Sequence, residues 1–254
     1  IIPFIWKTEK KGRKHFIRQE WNDEPRYMKN NLGEVTHWDF FGGTLKGIEE
    51  KLPFLKQFGI SAIYLNPIFE ASSNHRYDTA NYKKIDPRLG DQEAFVSLCE
   101  KAKEYGISLI LDGVFNHAGC DSVYYDQYGN YGEDGAYGNK ESKYSSWFLF
   151  TDEEHKNCEC WWGTKDLPNF NKENKEYQNY IYRDQASVIR YWMRLGAKGW
   201  RLDVADELTD DFIEGIKQAI VETDPEGILL GEVWEDASNK VSYGKMRKYL
   251  LGTE

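Results

Sequence analysis

GWRLDVADE, residues 199–207, combines an apolar strand pattern with charges that a buried strand does not ordinarily tolerate. Alternate residues of a strand face opposite sides, so Trp200, Leu202 and Val204 share one face while Gly199, Arg201 and Asp203 share the other. The apolar face is suited to packing on helices. The charged face then points to a barrel axis near the C-terminal end of the strand, which is where barrel enzymes keep their chemistry.

The flanking sequence supports a repeating βα architecture. Leu45, Ile48, Leu52, Leu55 and Phe58 fall on one helical face, Gly59 stops the helix, and ISAIYLNPIF (60–69) reads as a buried strand. Phe95, Leu98, Cys99, Ala102 and Tyr105 then lead through Gly106 to ISLILDGVF (107–115). Val188, Ile189, Trp192 and Leu195 lead through Gly196 to KGWRLDVA (198–205), and Phe212, Ile213, Ile216 and Ile220 through Gly227 to ILLGEVW (228–234). Such helix-to-strand units with right-handed crossovers build a parallel sheet, closed as a barrel or open as a doubly wound layer. Residues 118–176 break the rhythm with polar, Gly-rich and aromatic sequence, and so long a connection reads as a functional excursion or small subdomain. This divides the chain into 1–117, 118–176 and 177–254. The first 40 residues are poorly periodic and read as loop-rich.

Composition narrows the function. The 254 residues suit one large α/β domain or two small ones, and a net charge of −9 lacks the basic stripe that nucleic acid requires. KTEKKGRK (7–14), the longest basic run, reads as a solvated loop. No stretch has the length of a membrane span. Four cysteines, at 99, 120, 158 and 160, do not form a disulfide framework and leave the compartment open. HKNCEC (155–160) lacks a second ligand pair at zinc spacing and reads as a surface loop rather than a metal clip. The 17 Tyr and 9 Trp exceed ordinary core needs, and aromatic rings stack well on sugar faces.

Every predicted strand delivers polar groups to the same rim: Asp112, Asn116 and His117; Arg201 and Asp203; Glu232; and, after the first strand, His75, Arg76, Tyr77 and Asp78. A single Asp at a strand end is often only a helix N-cap, but capping does not explain Arg201 two residues before Asp203. Two carboxylates on neighbouring strands, Asp203 and Glu232, suit glycoside hydrolysis. Arg201 is expected to keep Asp203 ionised as a nucleophile, and the apolar neighbours Val233 and Trp234 to help Glu232 hold a proton for acid work.

DGVFNH (112–117), GWRLDVADE and GEVWED (231–236) resemble the first three signature regions of the α-amylase family, glycoside hydrolase family 13, and NHRYDTANYKKIDPRLG (74–90) resembles the loop after its second barrel strand. VADE (204–207) and LPNFN (167–171) are similar to segments of the neopullulanase, cyclomaltodextrinase and maltogenic amylase group. The resemblance implies a (β/α)8 TIM barrel, an α/β fold, of which this chain carries the strands matching two to five, with the excursion as domain B after the third. It implies a retaining mechanism with Asp203 as nucleophile and Glu232 as general acid and base. Arg201 then holds Asp203, Asp112 and His117 contact the sugar, Tyr77 stacks beneath it, and His75 makes a weaker contact. Trp161 and Trp162 become wall residues, and Asp206 and Glu207 tune the acceptor or linkage. The implied substrates are α-1,4-linked, or α-1,6-linked, glucans in maltodextrins, starch, pullulan or cyclodextrins.

Three departures follow. Nothing before Gly43 resembles the first barrel strand, and the fourth signature region, with its third catalytic Asp, is not found after Glu232. The chain is therefore expected to be an excerpt whose exposed strand edges are covered by a longer parent, by a partner or by a second copy. Many α-amylases bind calcium between barrel and domain B through a His that falls here at Glu207, so no metal or other cofactor is expected; Asn22 and Asp23, the other candidate calcium loop, read as turn residues. Three alternatives stay open beside hydrolysis: transglycosylation by the same covalent intermediate, an inactive partial domain, and a non-catalytic sugar-binding relative, which would have lost one of the two carboxylates.

Overall fold

The computed structural model describes residues 11–249, apart from 13, 27, 32–34 and 133. The basic run at 7–14 lies largely outside these described residues, although Lys14 opens the first strand. The N-terminal region is more ordered than its weak periodicity predicts, since β1 (Lys14–Ile17) and β2 (His37–Phe40) form a parallel pair in register. Strands this short contain too few residues to show an alternation. Asn22 and Asp23 lie in a turn, with the Asp23 amide donating to Glu20 O at 3.2 Å.

The predicted βα units follow. Helix α1 (Leu45–Gln57) starts at Thr44, whose hydroxyl accepts the Gly47 amide, and buries Leu45 and Leu52. Phe58 lies past the helix end and is 76% exposed, so it leaves the apolar face predicted for it. ISAIYLNPIF also divides, into β3 (Ala62–Leu65) and β4 (Phe69–Ala71), because Pro67 has no N–H to continue a ladder. β4 turns back against β5 (Thr79–Ile85) as an antiparallel pair outside the main sheet. Helix α2 (Gln92–Glu104) buries Phe95, Leu98, Cys99 and Ala102 and leads to β6 (Ser108–Gly113).

From Val114 to Asn174 the described chain adds no strand to the main sheet and is pinned by isolated bridges such as His117 to Asn169 and Cys160 to Pro168. Regular structure resumes with α3 (Lys175–Gln178), α4 (Val188–Arg194), β7 (Gly199–Leu202), α5 (Asp210–Thr223) and β8 (Ile228–Gly231). A small hairpin of β9 (Val241–Ser242) and β10 (Lys245–Met246) follows.

Strands β3, β6, β7 and β8 form one parallel sheet in sequential order, an open segment of barrel wall with β3 and β8 as its edges. The register places Asp112 beside Arg201 and Arg201 beside Leu230 on one face, and Leu111, Trp200 and Leu229 side by side on the other. The second face is buried: Trp200 is fully covered, its ring 5.5 Å from Phe115 and 6.2 Å from Phe69. Close packing at Gly199 leaves no room for a side chain, since a Cβ there would stand 2.0 Å from Ile228 O. The first face is more open towards the sheet edges, with Tyr64 40% and Leu230 46% exposed.

Replacing Trp200 with alanine removes one of the two tryptophans fully buried among the described residues. The expected cost is about 3–5 kcal/mol, read as a lowered midpoint in urea unfolding; a change below about 1 kcal/mol would contradict this packing.

Candidate active site

Asp203 and Glu232 are each the first residue beyond a strand. Their amides still extend the ladder, Asp203 N to Gly113 O at 3.1 Å and Glu232 N to Leu202 O at 3.0 Å. Strand β7 thus stops earlier than the sequence reading, and the chain turns sharply at Val204, which holds a left-handed φ of 41°. A β-branched residue is disfavoured there. Two bonds hold it: Val204 N donates to Glu232 Oε2 at 3.1 Å and Ala205 N to Glu232 O at 2.9 Å.

Arg201 is the hub of the cluster. Its Nη1 donates to Asp112 Oδ1 and Oδ2 at 2.9 and 3.0 Å and to Asp203 Oδ1 at 2.9 Å, while Nη2 lies 2.7 Å from Glu232 Oε1. One cation therefore faces three carboxylates. Asp112 Oδ2 also accepts the hydroxyls of Tyr64 and Tyr77, the latter at 3.1 Å. Burial is the largest cause raising the Asp112 carboxyl above its ordinary range, opposed by the Tyr64 hydroxyl and Arg201. Asp203 is pushed up to about 7, first by burial and then by the Asp112 charge, with Arg201 opposing and Glu232 adding to the rise. Arg201 does not offset burial and two neighbouring carboxylates, so the expectation that it keeps Asp203 ionised is corrected to one of a carboxyl raised to about 7 despite the guanidinium. The heavier burial also falls on Asp203, with a side chain 10% exposed, rather than on Glu232 at 31%.

The loop bearing His75 and Tyr77 is built by its neighbours in sequence. Asp78 accepts the Ser73 amide at 3.0 Å, and Arg76, at a left-handed φ of 63°, reaches Asp86 at 2.6 Å; Asp86 in turn takes Arg88 Nε at 2.8 Å. Arg76 and Asp78 hold the loop that presents Tyr77. His75 is exposed, with its ring 6.1 Å from that of Tyr77. His117 is buried and lies below the surface of the site: its Nδ1 faces the Asn116 amide at 3.3 Å and its Nε2 faces Tyr77 O at 3.2 Å. Desolvation holds its pKa down to about 4, so the ring is neutral at pH 7. Asp112 and His117 thus grip Tyr77 at its hydroxyl and at its backbone.

The excursion brings Trp161 against His117 at 5.5 Å, with Trp162 stacked on Trp161 at 5.3 Å. Trp162 is 71% exposed and its Nε1 donates to Glu207 Oε1 at 3.3 Å. Trp234, two residues past Glu232, meets Trp162 edge-on at 5.3 Å. Asp206 instead pairs with Lys240 at 3.1 Å, beside the hairpin. Sequence reasoning assigned no site role to Tyr64 or Lys172, and gave Trp234 a role only as an apolar neighbour of Glu232. The strand period places Tyr64 on the Arg201 face, which is the one signal that could have found it. His155 of the HKNCEC segment stacks on Phe150 at 4.2 Å, and none of the four cysteines is in a disulfide. Among the described residues no group of three or more His, Cys, Asp or Glu could hold a metal ion, and no helix is long and apolar enough to cross a membrane.

Residues 18–250 match the family model described as alpha amylase, catalytic domain, and the chain belongs to that family. It is similar to an amylopullulanase of Thermoanaerobacterium saccharolyticum, 43% identical over 87% of this chain and 19% of that protein. It is 38% identical to neopullulanase 2 of Thermoactinomyces vulgaris, over 80% of this chain and 34% of that one. The solved structure of Ttha1563 from Thermus thermophilus superposes with a TM-score of 0.70 at 32% identity, over 89% of this chain and 47% of that one. The chain thus spans about a fifth to a third of the length of these two curated relatives. The fold is that of a (β/α)8 barrel, of which the open four-stranded sheet forms part of the wall.

The raised Asp203 pKa has a thermodynamic consequence. Folding favours the protonated acid, so this stabilisation is complete below the unfolded value of 3.8 and is lost as pH rises through about 7. Asp203→Asn, which cannot ionise, should therefore raise stability by about 1–2 kcal/mol at pH 8 and by less at pH 5. Thermal unfolding at both pH values checks this; a variant less stable than the parent at pH 8 would refute the assignment.

Proposed function

We propose that this chain contributes the catalytic carboxylates of a retaining α-glucan glycoside hydrolase. The reading is carried by one observation: a single guanidinium touches Asp203 and Glu232 at the ends of adjacent parallel strands. Retaining enzymes place their two carboxyl groups about 5–5.5 Å apart, closer than inverting ones, and two carboxylates bonded to Nη1 and Nη2 of one guanidinium are compatible with so short a spacing. Asp203 is the nucleophile and Glu232 the general acid and then the base. Asp203 attacks as the carboxylate, its proton having passed to solvent beforehand, and Arg201 stabilises that anion. Glu232 protonates the leaving oxygen and later takes a proton from the incoming water. Tyr77 stacks beneath the sugar at the cleavage site, held there by Asp112 and His117, and His75 lies at its edge. Trp161 and Trp162 form the wall contributed by the excursion at 118–176, which acts as a separate domain B between the two barrel portions at 1–117 and 177–254.

The substrates are α-1,4- or α-1,6-linked glucans such as maltodextrins, starch, pullulan and cyclodextrins, a reading supported by the names of the amylopullulanase and neopullulanase relatives. The chemistry needs no cofactor. Further strands of the same barrel cover the Tyr64 and Leu230 face, as the greater length of the relatives supports. Exposed Trp162 and Trp234 favour transfer to a second sugar as an accompanying reaction, because two indole faces near Glu232 offer an acceptor something to stack on.

Asp203→Asn and Glu232→Gln should each lower release of reducing sugar from maltohexaose by about 10³-fold or more in the enzyme, and near-normal rates in either would sink the reading. At high maltose, Trp162→Ala should shift products from longer oligosaccharides towards hydrolysis. Chromatography showing an unchanged product ratio would remove the acceptor role.

A further inference from the structure

The excursion and the sheet meet where Asn116, just past β6, faces the segment Pro168–Lys172. The Ala118 amide donates to Pro168 O at 3.1 Å, Phe170 N to Asn116 O at 3.0 Å, and Asn116 Nδ2 to Asn169 Oδ1 at 3.3 Å. Lys172 closes this joint: its Nζ donates to Asn116 Oδ1 at 2.8 Å, while its backbone oxygen accepts Gln178 Nε2 at 2.8 Å. The calcium ion that many α-amylases bind between barrel and domain B does not fit these residues. Asn116 Oδ1 already takes an ammonium, position 207 is a glutamate bound to Trp162, and no group of three acidic, His or Cys ligands forms among the described residues.

We propose that the Lys172 ammonium is the resident cation of this joint, holding the excursion to the sheet without a metal ion and positioning Asn116 and His117 beneath Tyr77. An ammonium donates only, so it matches a carbonyl oxygen such as that of Asn116, and its charge is answered by Glu207 from the turn after β7 and Glu159 from the excursion. The remaining titratable neighbour, His117, is neutral. Desolvation lowers the Lys172 pKa to about 8, so the joint is charged at neutral pH and loses its cation in mildly alkaline solution. Because Asn116 Nδ2 faces His117 Nδ1 and His117 Nε2 faces Tyr77 O, a shift of Lys172 is passed along to Tyr77. The positioning role, though not the joint itself, rests on the glycosidase reading above.

Backbone hydrogen exchange at residues 116–120 and 166–172 tests the joint directly. Adding millimolar calcium or a chelator to the unmodified protein should leave protection there unchanged, and raising the pH from 7 to 9 should lower it about tenfold after correction for intrinsic exchange. Lys172→Met should show low protection at both pH values. Calcium-induced protection of these residues in the unmodified protein, or pH-independent protection there, would overturn the proposal without any variant being needed. Absence of hydrolysis by the unmodified enzyme with calcium-insensitive exchange would instead count against the glycosidase reading while leaving the joint intact.

Discussion

The rest of the site depends on the imbalance around Arg201, one cation against three carboxylates. Burying a carboxylate is tolerable when a counter-charge and hydrogen bonds replace its lost hydration. Asp112 has four such hydrogen bonds, from Arg201, Tyr64 and Tyr77. Asp203 shares the same guanidinium and has less support, so it is the group that burial pushes most clearly towards its neutral form. A carboxyl poised near neutrality lies close to the range where loss of a proton creates a reactive anion. The stability forfeited by its ionisation is local to the position that the chemistry uses.

The backbone at Val204 belongs to the same constraint. A β-branched residue in left-handed conformation persists because Glu232 accepts both its amide and the next one. The turn that ends β7 and the carboxylate that ends β8 therefore fix each other. Glu232 is oriented by Arg201 through one oxygen and by Val204 through the other. The aromatic side of the site is assembled differently, from three indoles contributed by the excursion and the end of β8, with no ion pair among them.

Much of this arrangement was legible in the chain. The alternation in GWRLDVA separated the Arg201 and Asp203 face from the Trp200 face, and the helical stripes ending in Gly59, Gly106, Gly196 and Gly227 located the sheet strands. Failures occurred where local pattern lacks the relevant information. Helical periodicity continues through Phe58, although the helix itself stops at Gln57. ISAIYLNPIF is mostly apolar on both sides of the break, and only Asn66 and the missing N–H of Pro67 mark its division. Lys172 carries no local signal, because its partner Asn116 lies 56 residues away.

The sequence by itself determined the parallel βα order, the sites where the chain must turn, and which side chains share the reactive face, because strand and helix periods are local properties of the backbone. Only tertiary structure decided how charge is distributed on that face. Arg201 is visible two residues from Asp203, but the desolvation of Asp203 and the added charges of Asp112 and Glu232 come from separate strands. Electrostatics in a low-dielectric site depends on distance through space and on burial, and neither quantity is written in residue spacing.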